Sequence, residues 1–182
     1  CIRDSLEAAG CEMGDDGFYY RDGEKVGFVI SVSAGDQVRI DMAQIAAQEL
    51  EEIGMDVSVE IPAQTDWAGQ MAFLIGWGSP FDADDHTYKV FGTDKGANYS
   101  GYSNADVDKY LTEARQSADP EVRAEAYANF QKALAEDPAY AMICYIDANY
   151  VADSNIKGID SDTIMGHHGV GIFWNVADWT IE

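Results

Sequence analysis

Between residues 37 and 53, apolar side chains recur at helical spacing: Val38, Met42, Ile45, Ala46, Leu50 and Ile53. Asp36 stands where a cap belongs and Gly54 where a helix stops, so the pattern predicts an amphipathic helix. The period then changes. Met55, Val57, Val59 and Ile61 alternate with polar residues, as a half-buried strand does. Helix, glycine, strand is an α/β unit, which calls for a parallel neighbour. Met71–Ile75 reads as that kind of strand, short and apolar on both faces like a central parallel strand.

The flanking segments fit the same mixed class. Ile2, Leu6 and Ala9 predict a short helix ended by Gly10. Asp16-Gly17 and Asp22-Gly23 flank Phe18-Tyr19-Tyr20 and predict a small hairpin, continued by a strand over Val26–Val32. Ser103-Asn104-Ala105-Asp106 reads as a capping box before Val107, Tyr110, Leu111 and Ala114. Asp119-Pro120-Glu121 opens a second helix with Val122, Ala126, Phe130, Ala133 and Leu134 inward, and Asp137-Pro138 ends it. Ala141–Ile146 and Ala148–Val151 read as strand. From Asp153 the pattern weakens into a glycine-broken tail holding Phe173, Trp174 and Trp179, as if made to pack on something else.

The richest chemistry follows the Met71–Ile75 strand: Gly76-Trp77-Gly78-Ser79-Pro80-Phe81-Asp82-Ala83-Asp84-Asp85-His86. Ligands of open α/β sheets collect at the carboxyl ends of strands. Glycine permits close approach there, and an indole offers a flat wall, so Trp77 is a stacking candidate; its alternative is a core aromatic. Asp82, Asp84 and Asp85 suit a cationic or amine-bearing ligand through charge-assisted hydrogen bonds, or a solvated loop capping a helix near His86. His86 with Asp82 or Asp85 has the donor types for nickel or zinc, against a purely structural histidine. His167-His168, between Gly166 and Gly169, is a ligand-contact candidate or a packing element. Tyr99 and Tyr102 either line a cleft or cover the helix beginning at Ser103.

Composition narrows the classes. The 182 residues, 47% of them hydrophobic, suit one domain or one with a small appendage. No run of 18 apolar residues is long enough to span a membrane. Thirty-three acidic against 11 basic residues give a formal net charge of −22, which repels nucleic acid and anionic membrane surfaces. Cys1, Cys11 and Cys144 cannot all pair internally; Cys11 and Cys144 read as small hydrophobes, and no CxxC or Cys/His metal spacing occurs. Catalytic signatures are missing too: there is no nucleophile elbow, P-loop or GxGxxG, although a carboxylate pair of the glycosidase kind is not ruled out by counting in so acidic a chain.

Several stretches carry a resemblance in collinear order. They are Ser5-Leu6-Glu7-Ala8-Ala9-Gly10 with Asp16-Gly17-Phe18; Ala46 through Val57; Gly76-Trp77; Gly101-Tyr102-Ser103-Asn104 followed by Val107-Asp108; Arg123 with Tyr127 and Gln131; and Asp137-Pro138. Over about residues 2–160 the chain resembles the C-terminal half of the family 5 extracellular solute-binding proteins, the peptide and nickel receptors of ABC importers. The resemblance implies a periplasmic-binding-protein-like, type II α/β lobe: a mixed sheet flanked by helices over residues 1–150, and an irregular return segment over 151–182 directed at an absent first lobe. It implies a substrate-binding component that captures a short peptide or related small solute. A nickel or metal-chelate receptor of the same family is one alternative, and a carboxylate-dependent hydrolase is an alternative of another class. Ligand contacts are then expected at Trp77, Gly78, Ser79, Pro80, Phe81, Asp82, Tyr99, His167 and His168, with His86 and Asp85 as the weaker metal candidates. No cofactor, catalytic residue or nucleic-acid partner is expected. The expected partners are a small solute or peptide, the membrane permease and the first lobe.

Two features depart from the family pattern. Peptide-binding members commonly carry an aspartate three residues after the tryptophan; here that place is Pro80, and Gly-Ser-Pro-Phe-Asp is closer to the branch containing nickel receptors. The stretch from Val57 to Trp77 is also short, with room for about one helical turn around Asp66-Trp67-Ala68. Cys1 leads straight into a helical pattern rather than a polar lipoprotein tether; the resemblance implies an extracytoplasmic location, tethered through a missing N-terminal part.

Overall fold

A computed structural model describes residues 2–64, 66, 69–78, 82–147, 149–160 and 171–182. The chain forms two compact units, Cys1–Gly76 and Trp77–Glu182. The expected turn around Asp66-Trp67-Ala68 falls largely outside the described residues.

The first unit opens with α1 (Ile2–Ala8), then a three-stranded antiparallel meander of β1 (Glu12–Met13), β2 (Tyr19–Arg21) and β3 (Glu24–Lys25). Lys25 fixes this corner. Its ammonium lies 3.0 Å from Asp16 and 4.0 Å from the centre of the Phe18 ring. A second sheet follows from β4 (Gly27–Ser31), α2 (Gln37–Glu52), β5 (Asp56–Glu60) and β6 (Ala72–Phe73), in the strand order β5-β4-β6, all parallel. The α/β unit and its parallel neighbour are therefore present. The central strand is β4, however; β6 is a two-residue edge strand, and Met71 beside it is exposed. Asp36 caps α2 by accepting from the Arg39 amide at 3.1 Å.

The inward face of α2 agrees only in part with the one its spacing predicts: Ala46 and Leu50 pack against the core as expected. Ile40, Ala43 and Ala47 are buried against Ile30, Val32 and Val57, whereas Val38 and Ile45 are exposed. Apolar residues lie on both sides of this helix, and the side bearing alanines can approach the sheet most closely. Close approach also explains Gly27: a Cβ there would collide with the Asp56 carbonyl of the paired strand.

The second unit is mainly helical: α3 (Ala83–Phe91), α4 (Ala105–Gln116) and α5 (Pro120–Glu136). Its core is Val107, Leu111 and Phe130, with Phe91 at 5.5 Å centroid distance from Phe130. The short link from α4 to α5 makes them neighbours. Asn104 rather than Ser103 caps α4, accepting from the amides of Asp106 and Val107; Ser103 instead bonds the Thr93 hydroxyl. Asp119 caps α5 with Pro120 in its first turn. Val122, expected inward, is 46% exposed, because it lies in the first turn before the helix meets its partners.

Residues 141–147 and 149–151 form no strand, contrary to the sequence expectation, and Met142, Tyr145 and Val151 are exposed. A strand requires a neighbour to take its backbone hydrogen bonds, and an apolar run alone does not supply one. Cys144 lies in this segment and is exposed, not packed as a small hydrophobe, whereas Cys11 is buried as expected. The tail is more regular than its glycines suggest. β7 (Ile156–Lys157) pairs antiparallel with β8 (Thr180–Ile181) around a kinked 3₁₀ segment, Ile172–Asp178. Asn175 ties it together, donating to the Gly158 carbonyl at 2.7 Å and accepting from the Trp179 indole at 2.9 Å.

Candidate functional site: an aromatic shelf beside α3

Trp77 opens the second unit and remains 36% exposed. The Tyr99 ring stacks beside it, 6.1 Å away and inclined by only 16°, and is 37% exposed. His86, on α3, meets the indole at 5.7 Å in a tilted arrangement. The three rings form a partly exposed aromatic cluster, with Trp77 and Tyr99 each about one-third exposed.

Asn98 is what holds Tyr99 in place. Its amide donates to the carbonyls of Gly92 at 3.0 Å and Tyr102 at 2.7 Å, while its oxygen accepts from the Tyr102 amide at 3.0 Å and the Ser100 hydroxyl at 3.2 Å. With every polar atom of Asn98 engaged, the 92–102 loop has one arrangement. The far end of the loop is hooked to the end of α5, where the Tyr102 hydroxyl donates to the Asp137 carbonyl at 2.9 Å.

The other side of the shelf rests on α3. Asp82 is the N-cap of this helix, accepting from the Asp84 amide at 2.8 Å. Both Asp82 oxygens also accept from Arg123 Nη2 at 2.8 Å. The Asp84 amide first, and the Arg123 guanidinium next, hold the Asp82 carboxyl below its ordinary pKa. Asp84 faces Arg115 Nε at 3.2 Å, and Asp85 takes Lys89 Nζ at 3.0 Å. All three aspartates of the acidic loop thus have basic partners within the unit. The run caps and pairs rather than presenting three uncompensated charges. Arg115 and Arg123 were not legible as these partners from sequence; their only signal was two arginines in the helices that follow an acidic run.

His86 Nε2 lies 3.8 Å from Asp85 Oδ2, and its Nδ1 is buried with no hydrogen-bond partner among the described residues. Among those residues no three His, Cys, Asp or Glu side chains gather as a metal site would require. Gly78 follows Trp77 and is buried. Ser79, Pro80, Phe81, His167 and His168 lie outside the described residues. Tyr102 belongs to the helical core, and burial raises its hydroxyl above the ordinary phenol pKa.

Known proteins resemble the chain over part of their length. No family model matches the chain. Protein XP55 of Streptomyces lividans is 35% identical over 161 residues, covering 85% of this chain and 30% of its own length. The oligopeptide-binding protein AppA of Bacillus subtilis is 26% identical over 184 aligned positions, 95% of this chain and 32% of that protein. The crystal structure of NikZ from Campylobacter jejuni, in complex with Ni(L-His), superposes with a TM-score of 0.83 at 34% identity, over 98% of this chain and 38% of the other. AppA from Bacillus subtilis with a bound nonapeptide gives a TM-score of 0.74 at 24% identity, over 99% of this chain and 36% of that chain.

The chain is structurally similar to a portion of the family 5 extracellular solute-binding proteins. Its mixed α/β structure corresponds to a portion of their type II periplasmic-binding-protein fold. It spans about a third of the length of the relatives it matches. Of these, AppA is named for oligopeptide binding, and the NikZ structure holds Ni(L-His). Among the described residues, no helix is long and apolar enough to cross a membrane.

Proposed function

We propose that residues 1–150 are most of the second lobe of an ABC-importer receptor and that residues 151–182 return toward a first lobe. The receptor captures a short peptide or related small solute between its lobes, outside the cytoplasmic membrane, tethered through a part that precedes this chain. The shelf of Trp77, Tyr99 and His86 supports the reading: it is a partly exposed cluster of rings of the kind that lines small-molecule sites. Trp77 and the backbone from Gly78 to Asp82 meet the ligand, hinge closure buries it, and the closed form is what the permease recognises. Ser79, Pro80, Phe81, His167 and His168 are further proposed contacts. No covalent step is needed.

The paired aspartates refine the ligand. An acidic loop with three unpaired carboxylates would select positive charge; one whose carboxylates are ion-paired leaves recognition to stacking and backbone hydrogen bonds. A nickel-chelate receptor is the second reading. It is favoured by the superposition on the Campylobacter protein holding Ni(L-His) and by an imidazole, His86, in the shelf.

The test is calorimetric titration of the intact protein with a nonapeptide and with Ni(L-His), with mass analysis of each ligand afterwards. Saturable binding of either with the ligand recovered unchanged supports a receptor. Product formation that depends on Asp82 or Asp85 sinks it.

A further inference from the structure

We propose that Arg123 is a positioning residue for the aromatic shelf, acting through Asp82 and α3. The proposal rests on the shelf being the ligand wall.

One guanidinium joins three helices. Arg123, near the start of α5, donates through Nη2 to both oxygens of Asp82, the cap of α3, at 2.8 Å. Through Nη1 it donates to the carbonyl of Ala114 in α4 at 3.2 Å. Ala114 is fully buried, so that end of the link is anchored in the core of the unit. Arg115 makes a second joint, with Nε 3.2 Å from Asp84 and its guanidinium 3.9 Å above the Tyr88 ring.

α3 needs such joints. It is nine residues long, a length at which a helix has little stability of its own, and Val90 is its one buried residue. Its first turn, Ala83 to Asp85, offers no large apolar side chain to the core. Among the described residues, Arg123 and Arg115 both tie the N-terminal end of α3 to the neighbouring helices. His86 follows within the next turn, and its ring forms one side of the shelf, 5.7 Å from Trp77. A change in how Arg123 holds Asp82 is transmitted to the imidazole against the indole. Lysine cannot replace this arginine fully: one ammonium cannot bridge a carboxylate and a carbonyl on different helices with the fixed fork of a guanidinium.

An ordinary surface ion pair would affect stability slightly and nothing else. The two roles separate by ¹⁹F NMR of the intact protein labelled with 5-fluorotryptophan, with no ligand added and the Trp77 resonance assigned through W77F. Positioning expects R123Q and D82N each to move the Trp77 resonance by more than its linewidth. The double variant should move it no further than the larger single change, and R123K should return it part of the way. An unmoved Trp77 resonance in R123Q and D82N, with only a lower melting temperature, overturns the proposal, as do additive shifts in the double variant. Should R123Q not fold, D82N read in the same way decides. Because no ligand is present, failure of the receptor reading leaves this result untouched and appears instead as no binding in the titration.

Discussion

The indole of Trp77 and the phenol ring of Tyr99 stack 6.1 Å apart with planes inclined by 16°, each ring about one-third exposed. Two aromatic faces held nearly parallel and left open to solvent are poor contributors to a core and good contributors to a ligand wall. The two residues are 22 positions apart in sequence and are brought together by α3 and by the Asn98-locked loop.

Truncating either ring should weaken ligand binding without unfolding the protein. W77A and Y99A are each expected to lower affinity about two- to tenfold, the equivalent of an aromatic contact of about 0.5–1.5 kcal/mol. Titration calorimetry checks the affinity, and an unchanged melting temperature separates loss of the wall from loss of fold.

The Asn98 knot makes a different prediction. In N98A the loop carbonyls of Gly92 and Tyr102 lose their donor, and Tyr99 is no longer fixed. Loss of hydrogen bonds from a partly buried amide costs about 1–3 kcal/mol. Thermal denaturation should show that loss, and ligand affinity should fall with it even though Asn98 touches no ring.

Asp82 sets a pH dependence whose sign is fixed by its environment. The Asp84 amide and Arg123 lower its pKa in the folded protein, so the unfolded chain binds its proton more readily. Its contribution is therefore present above the ordinary aspartate value of about 3.9 and is lost as pH falls through the lower folded value. Asp16, lowered chiefly by Lys25, acts in the same direction. Acid melts of the wild type and D82N should converge in stability as the pH drops below about 4, and differ above it.

Core substitutions should separate the two units. L111A removes a fully buried side chain from the helical unit and is expected to cost about 2–5 kcal/mol. G27A places a methyl against the Asp56 carbonyl and should part β4 from β5, at about 1–3 kcal/mol or more. Hydrogen exchange should report the first in α4 and α5 and the second in β4 and β5.

Much of the fold was readable because its signals were local. The Asp36 and Asp119 caps and the switch from helical to alternating period at Gly54 are each written within a few residues. What failed depended on distant partners. Ile40 rather than Val38 faces the sheet because alanines on that side permit closer packing, which spacing alone cannot rank. Residues 141–146 are an apolar run like a strand, but among the described residues no strand pairs with them. At the site, Trp77 and Tyr99 were singled out by composition and place, and they do lie together. Asp82 was read both as a ligand acid and as a cap; its cap geometry is plain, while its arginine partner, 41 residues on, left no local mark.

The most direct test is native mass spectrometry of the intact protein purified without added ligand. The account expects a non-covalent adduct at one per protein, with the mass of a short peptide or a nickel chelate, released unchanged on mild activation and weakened by W77A. An intact, folded protein that carries no adduct and takes up neither a nonapeptide nor Ni(L-His) when these are supplied would contradict it.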